Sequence, residues 1–262
     1  MLEELVIMEV MIMINDETKR KLRELNLSEV IEGVKEQDLN RDYMQLTFDE
    51  RLQVLIDYVF QEKYNRKMMR LIKGAKFRFP RADINTITYL GRELDERLIR
   101  ELATCQFINV PMNVVCQGFT GSGKTFLACA LGKQACKKGI KSFYIRVPDL
   151  LYSLDEAKLK QNGITKLLNK ISKFELLILD EWLLNDLSRD ERHFLFELIE
   201  RRYLNSSTIF CTQYKQSDWH ERLGGEIHAD SIMDRIVHDS FWIETGTMNM
   251  REKEAKERMK NR

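Results

Sequence analysis

The sequence predicts an α/β protein whose parallel sheet is covered on both faces by helices and preceded by a small all-helical module. Three observations carry that expectation. Residues from Asn15 to about Lys76 show helical periodicity alone, and from Asn113 onward short continuous apolar runs alternate with helical patterns. Between the first such run and the helix after it stands Gly-Phe-Thr-Gly-Ser-Gly-Lys-Thr, residues 118–125, the setting of a nucleotide phosphate loop.

The elements follow in order. Leu22, Leu25, Leu27, Val30, Ile31 and Val34, then Leu52, Leu55, Ile56, Val59 and Phe60, recur at helical spacing, and Thr47 with Glu50 has the pattern of a capping box. Phe79, Pro80 and the mixed stretch through Thr88 break the periodicity, which puts the module boundary near Pro80. The expected division is an extension over 1–14, a helical domain over 15–80, the α/β domain over 81–251 and a charged tail over 252–262. Leu94, Leu98, Leu102 and Cys105 mark a short helix before Val110-Pro111. Strands are expected at 113–117, 142–147, 176–180, 208–212 and 241–244. Between them lie a helix over 123–138 stopped by Gly139, a helical region from Pro148 to about Lys173, a helix capped by Ser188 with Glu191, and a helix over 231–237.

Composition narrows the class. Forty-four per cent hydrophobic residues suit a globular protein with a real core, and 42 basic against 41 acidic residues give a net charge of +1, which neither demands nor excludes nucleic acid. Five cysteines without a CxxC pair read as buried reduced thiols of a cytoplasmic protein. The apolar opening is short, interrupted by Glu3, Glu4 and Glu9, and resembles neither a signal peptide nor a membrane span, so no membrane partner is expected. The four histidines show no ligand spacing.

The loop dictates chemistry. Gly118, Gly121 and Gly123 let the backbone curl so that amides of Phe119, Thr120, Ser122 and Phe126 face inward, while Lys124 and Thr125 open a helix whose positive end meets phosphate. The expectation is ATP or GTP, with Lys124 on the outer phosphates and the Thr125 hydroxyl on Mg2+. The run Leu176 to Leu179 ends in Asp180 and Glu181, and ligands of an open parallel sheet lie beyond the carboxyl ends of its strands. Asp180 is then the second magnesium ligand, and Glu181 orients the attacking water. Gln213 follows the fourth strand and on its own is as readily a turn residue as a phosphate sensor. Arg235 either projects into a neighbour's site as a catalytic guanidinium or pairs with Asp234 or a glutamate on its own surface. Lys63, Arg66, Lys67, Arg70, Lys73, Lys76, Arg78 and Arg81 run without an acid, a strip suited either to DNA phosphates or to solvent. A weaker strip holds Lys158, Lys160, Lys166, Lys170 and Lys173.

Taken together, GFTGSGKTFLACALG, LLILDEW, ERRYLNSSTIFCTQY, SDWHERLGG, ADSIMDRIVH and the amino-terminal FDERLQVLIDYVFQEKYNRKMMRLIKGAKF resemble the IstB family, the ATPase helpers of insertion-sequence transposases and relatives of the DnaC helicase loader. The resemblance spans residues from about Asn15 to Arg251. It implies a three-layer AAA+ P-loop core and an ATP-dependent homo-oligomer, ring or filament, on duplex DNA that remodels the target and stimulates a partner transposase. A loader of a replicative helicase is the alternative. The resemblance makes Gln213 the phosphate sensor, Arg235 the arginine finger and Arg251 a late nucleotide-holding arginine, and it brings the strip from Lys158 to Lys173 near DNA. Three departures mark the chain: Gln213 stands where the family usually has Asn, Phe119 where it has a small residue or proline, and the first fourteen residues have no counterpart in the family. A small-molecule kinase would need an acceptor pocket and an arginine-bearing lid, and the sequence displays neither.

Overall fold

The computed structural model describes residues 14–225 and 227–260. They form two compact units that divide between Met69 and Arg70; the extension expected over 1–14 falls, but for its last residue, outside the described residues.

The first unit holds α1 (Asp16–Glu24), α2 (Ser28–Leu39) and most of α3 (Phe48–Gly74). Asn15 caps α1 by accepting from the Thr18 amide at 2.8 Å. The box predicted for α3 forms, with the Thr47 amide donating to Glu50 at 2.8 Å and the Glu50 amide to Thr47 Oγ1 at 3.4 Å. Gly33 permits the close approach of α2 and α3, since a Cβ there would lie 2.7 Å from Leu55 Cδ1 and 2.8 Å from Tyr58 Cδ1.

The units divide earlier than Pro80, and the reason is packing. Leu71, Ile72, Ala75 and Phe77 join the core of the second unit, and the Tyr144 amide donates to the Ala75 carbonyl at 2.9 Å. The last turn of α3 and the residues after it therefore cover the sheet, although helical periodicity runs through them unbroken.

That sheet has five parallel strands, β1 (Asn113–Gln117), β2 (Ser142–Arg146), β3 (Leu176–Asp180), β4 (Ser207–Thr212) and β5 (Ser240–Glu244), in the order β2-β3-β4-β1-β5. The strand expectations hold to within a residue at each end. Alternation sorts side chains between two cores. Val114, Cys116, Ile178, Ile209 and Cys211 face α4 (Glu96–Leu102), α5 (Gln106–Asn109) and α6 (Lys124–Lys137). Val115, Phe143, Leu177, Leu179 and Phe210 face α7 (Val147–Lys158), α8 (Gly163–Ser172), α9 (Arg189–Arg202), α10 (Gln216–Arg222) and α11 (Ile227–Val237). Burial on both faces is why the strands read as continuous apolar runs. All five cysteines are buried and free.

Two expectations need correction. The helical region from Pro148 breaks into α7 and α8, because Asn162 takes a left-handed φ of 55° and a Cβ on Gly163 would lie 2.1 Å from the Ala157 carbonyl oxygen. The charged tail is helical: α12 (Met250–Lys260) is capped by Asn249 Oδ1, which accepts from the Arg251 amide at 3.1 Å. Its sequence is polar all round, so no apolar period announced it.

Candidate nucleotide site

β1 lies inside the sheet between β4 and β5, and the loop leaving it toward α6 occupies the carboxyl end, where a parallel sheet places its ligand. The Gly118 amide donates to the Thr212 carbonyl at 3.2 Å, which ties the loop to β4. Below it the buried hydroxyls of Ser122 and Thr245 lie 2.5 Å apart, and a Cβ on Gly118 would lie 2.2 Å from Thr245 Oγ1. Gly121 and Gly123 adopt φ of 91° and 96°, and a Cβ on Gly121 would lie 2.5 Å from Asn249 Oδ1. The glycines thus serve a cradle that any side chain would strain or fill. Phe126 is held by Phe79, ring centroids 6.0 Å apart, and Phe119 and Thr120 are exposed.

Lys124 folds back to donate to the carbonyls of Gly118 at 2.6 Å and Phe119 at 2.8 Å. Burial pushes its pKa below the usual lysine value, against the attraction of Cys211 and Asp180. Thr125 Oγ1 donates to Asp180, 3.0 Å from each carboxylate oxygen, and Asp180 is only 2% exposed. Those oxygens fit a divalent cation: a hydroxyl from the loop and an acid from the next motif share one point. Asp180 also accepts from the Tyr144 hydroxyl at 2.7 Å and the Glu181 amide at 3.0 Å. Burial and the neighbouring Asp180 push the Tyr144 hydroxyl pKa up, so it stays a donor.

Around these groups lies a cavity of about 590 Å³, within the range of small-molecule sites. Lys124, Thr125, Phe126, Asp180, Glu181, Gln213 and Arg251 line it. Gln213 accepts from the Thr120 hydroxyl at 3.1 Å, so its amide already touches the loop. Arg251 enters from α12.

Several residues here carry no local signal that marks them as site residues. Arg78 lies 3.4 Å from Glu181 Oε1 and 3.9 Å from Asp180 Oδ2; Arg146 donates to Glu181 Oε2 at 2.7 Å. Arg92 is drawn under the loop, donating to the Ser122 carbonyl at 2.6 Å and the Thr245 carbonyl at 3.3 Å. Register alone offers a clue to Arg146, which pairs with Asp180 across β2 and β3.

Other expected residues lie apart from the cavity. Arg235 is half-buried on α11, ion-paired with Glu200 and set over the rings of Phe196 and Tyr203 at 5.6 Å each. Within one chain the surface-pair alternative is what forms, with Glu200 rather than Asp234 as partner. In the first unit Arg66 and Lys67 are exposed on α3, with Arg66 paired to the buried Glu29 at 2.6 Å; in the second, Arg70, Lys73 and Lys76 are exposed. Lys160, Lys166 and Lys170 are exposed on and beside the α7–α8 turn, while Lys158 is paired with Asp155 at 3.2 Å and Asp190 at 3.4 Å.

A phosphate loop and a strand-end acid pair on a parallel sheet between two helical layers define a P-loop nucleotide-binding protein. The fold agrees with solved structures: a DnaC helicase loader is 24% identical with a TM-score of 0.54, over 62% of this chain and 96% of that one. DnaI is 22% identical with a TM-score of 0.53, over 65% and 90%. Residues 20–258 match the family model described as IstB-like ATP binding protein, and the chain belongs to that family. A putative insertion sequence ATP-binding protein of Sinorhizobium fredii is 31% identical over 91% of this chain and 96% of its own length. The putative ATP-binding protein of insertion sequence IS1162 from Pseudomonas fluorescens is 36% identical over 78% and 89%. Among the described residues no helix is long and apolar enough to cross a membrane.

Proposed function

We propose that this chain is a magnesium-dependent ATPase of DNA transposition that assembles on duplex DNA with ATP, remodels the target and stimulates a partner transposase, with hydrolysis timing disassembly. The observation that carries the reading is the juxtaposition of Thr125 and Asp180 at 3.0 Å beside Glu181 in the loop's own cavity. The insertion-sequence relatives support transposition over helicase loading.

Thr125 and Asp180 would hold Mg2+, which would neutralise charge on the outer phosphates. The loop amides and Lys124 bind and orient those phosphates; for that Lys124 exchanges two neutral carbonyls for anionic oxygens, a gain that helps offset its burial. Glu181 takes the proton side of an attacking water, and Gln213 reports the terminal phosphate from its place beside Thr120. Arg235 acts on a neighbour's nucleotide after leaving Glu200, which makes turnover depend on assembly. The exposed basic residues Arg66, Lys67, Arg70, Lys73 and Lys76, with Lys158, Lys160, Lys166 and Lys170, contact phosphates of DNA, each adding a salt-dependent increment.

The test is ATP hydrolysis and duplex-DNA binding with the full chain. Glu181→Gln is expected to bind ATP, stop turnover and trap the DNA-bound oligomer. Absence of DNA binding with a non-hydrolysable ATP analogue would overturn the DNA reading; retained turnover would remove Glu181 from its role. Co-purification with a replicative helicase instead of a transposase would decide for the loader.

A further inference from the structure

Arg78 belongs by sequence to the basic run read as a DNA strip, yet its guanidinium turns into the nucleotide cavity. Its two acidic partners there are the acids at the end of β3, at 3.4 Å for Glu181 and 3.9 Å for Asp180. Both separations exceed the roughly 2.7–2.9 Å of a well-made charge-assisted bond. Arg146, by contrast, grips the other oxygen of Glu181 at 2.7 Å and has Asp149 as a second partner at 3.5 Å. Arg78 also meets the neutral Tyr144 hydroxyl, so of the two guanidiniums Arg146 is the one committed to an acid and Arg78 the more exchangeable. Arg78 is also loosely enclosed by its fold, its side chain 42% exposed within a cavity open to ligand.

With Glu181 beyond the terminal phosphate so as to hold water in line with it, a guanidinium that touches Glu181 Oε1 is within a side-chain rotation of that phosphate's oxygens. A phosphate offers more charge than a shared carboxylate and a forked geometry that suits Arg. Removal of Arg78 from Oε1 also frees that oxygen to accept from water, while Arg146 keeps the carboxylate placed.

We propose that Arg78 is a catalytic residue of this site, contacting the terminal phosphate of ATP from within the same chain and pairing with Glu181 and Asp180 only when that phosphate is absent. This rests on the reading of the cavity as a site of ATP hydrolysis. The three arginines then act on different groups, Arg78 on the terminal phosphate in cis, Arg146 on Glu181, and Arg235 on a neighbour's nucleotide.

The experiment compares ATP with ADP. Magnesium-dependent affinities for ADP and for a non-hydrolysable ATP analogue are measured for the wild type, Arg78→Ala, Arg78→Gln and Arg78→Lys, with turnover and thermal melting alongside. Arg78→Ala and Arg78→Gln are expected to weaken the ATP analogue by about tenfold or more, the worth of one charge-assisted bond, and to leave ADP within about twofold. Arg78→Lys should recover part of the preference, since it keeps the charge without the fork. Should Arg78→Ala melt early, Arg78→Gln carries the comparison. An equal loss for both nucleotides would show a prop for the acids and overturn the proposal, as would no loss for either. Wild-type protein that binds neither nucleotide would overturn the underlying reading, and this one with it.

Discussion

Tyr144→Phe tests the buried end of the site with the loss of a single oxygen. The Tyr144 hydroxyl donates at 2.7 Å to an acid that is 2% exposed, so the variant leaves Asp180 with the Thr125 hydroxyl and the Glu181 amide as remaining hydrogen-bond donors and Arg78 at 3.9 Å as a distant ion-pair partner. Water has little access to make good the loss. A hydrogen bond to a charged group is worth about 1.5–3 kcal/mol net, and the ring itself still fills its place in the core, so no cavity adds to the cost. We expect about 2 kcal/mol of destabilisation without nucleotide, or about 4–8 °C in the melting temperature of a unit this size. With magnesium and ATP the loss should shrink, because the Asp180 charge then has a stronger partner. Urea unfolding monitored by tryptophan fluorescence, with and without Mg·ATP, measures both. A change under about 0.5 kcal/mol without nucleotide would refute the argument that Asp180 depends on this donor.

Further substitutions probe the loop and the pH response. Lys124→Met should abolish nucleotide binding yet raise the melting temperature of the nucleotide-free protein at neutral pH. Burial depresses the folded-state pKa of Lys124 below 10.5, so the folded chain bears the full cost of that charge below the depressed value, and stability recovers as pH rises from there toward 10.5; equal melting temperatures would refute it. Gly118→Ala should lower ATP affinity more than alanine at Gly121 or Gly123, because its Cβ meets Thr245 Oγ1 at 2.2 Å and forces apart the Ser122–Thr245 pair; calorimetric titration reads this directly. The hydrogen bond from Lys137, 2.6 Å away, holds the Asp83 carboxyl below the usual 3.8. That contribution is present above the unfolded-state value and lost as pH falls through the folded one, so Lys137→Ala should flatten the acid limb of the stability curve; an unchanged limb would count against it.

What could be read from the chain follows the range of the forces involved. The capping box of α9, Ser188 with Glu191, joins residues three apart and is visible for that reason. The same holds for the loop from Gly118 to Thr125 and for the buried strand that ends in Asp180, where local pattern and backbone requirement coincide. Tyr144 and Arg78 are not visible as site residues, because their contacts with Asp180 and Glu181 cross 36 and 103 positions and no local spacing encodes them. The division near Met69 is hidden by an opposite effect: α3 continues as one helix through it while Leu71 and Ile72 at its end pack against the core of the second unit.

Arg235 shows where a single chain reaches its limit. From sequence its two readings, surface pair and finger, compete as exclusive alternatives, and the pairing with Glu200 taken alone would decide for the first. We propose that they are successive instead. Arg235 lies over the rings of Phe196 and Tyr203 and is half-buried, so its stem is already fixed and little side-chain entropy remains to be lost on docking. Glu200, 45% exposed, is a partner that water and salt can replace. On that proposal, a guanidinium held by an exposed acid, by the Ser231 carbonyl at 2.9 Å and by an aromatic seat exchanges the acid for a stronger anion brought by another subunit. Glu200→Gln then separates the cases: it should raise assembly-dependent turnover if Glu200 only holds Arg235 in reserve, and lower it if the pair itself shapes the contact between subunits.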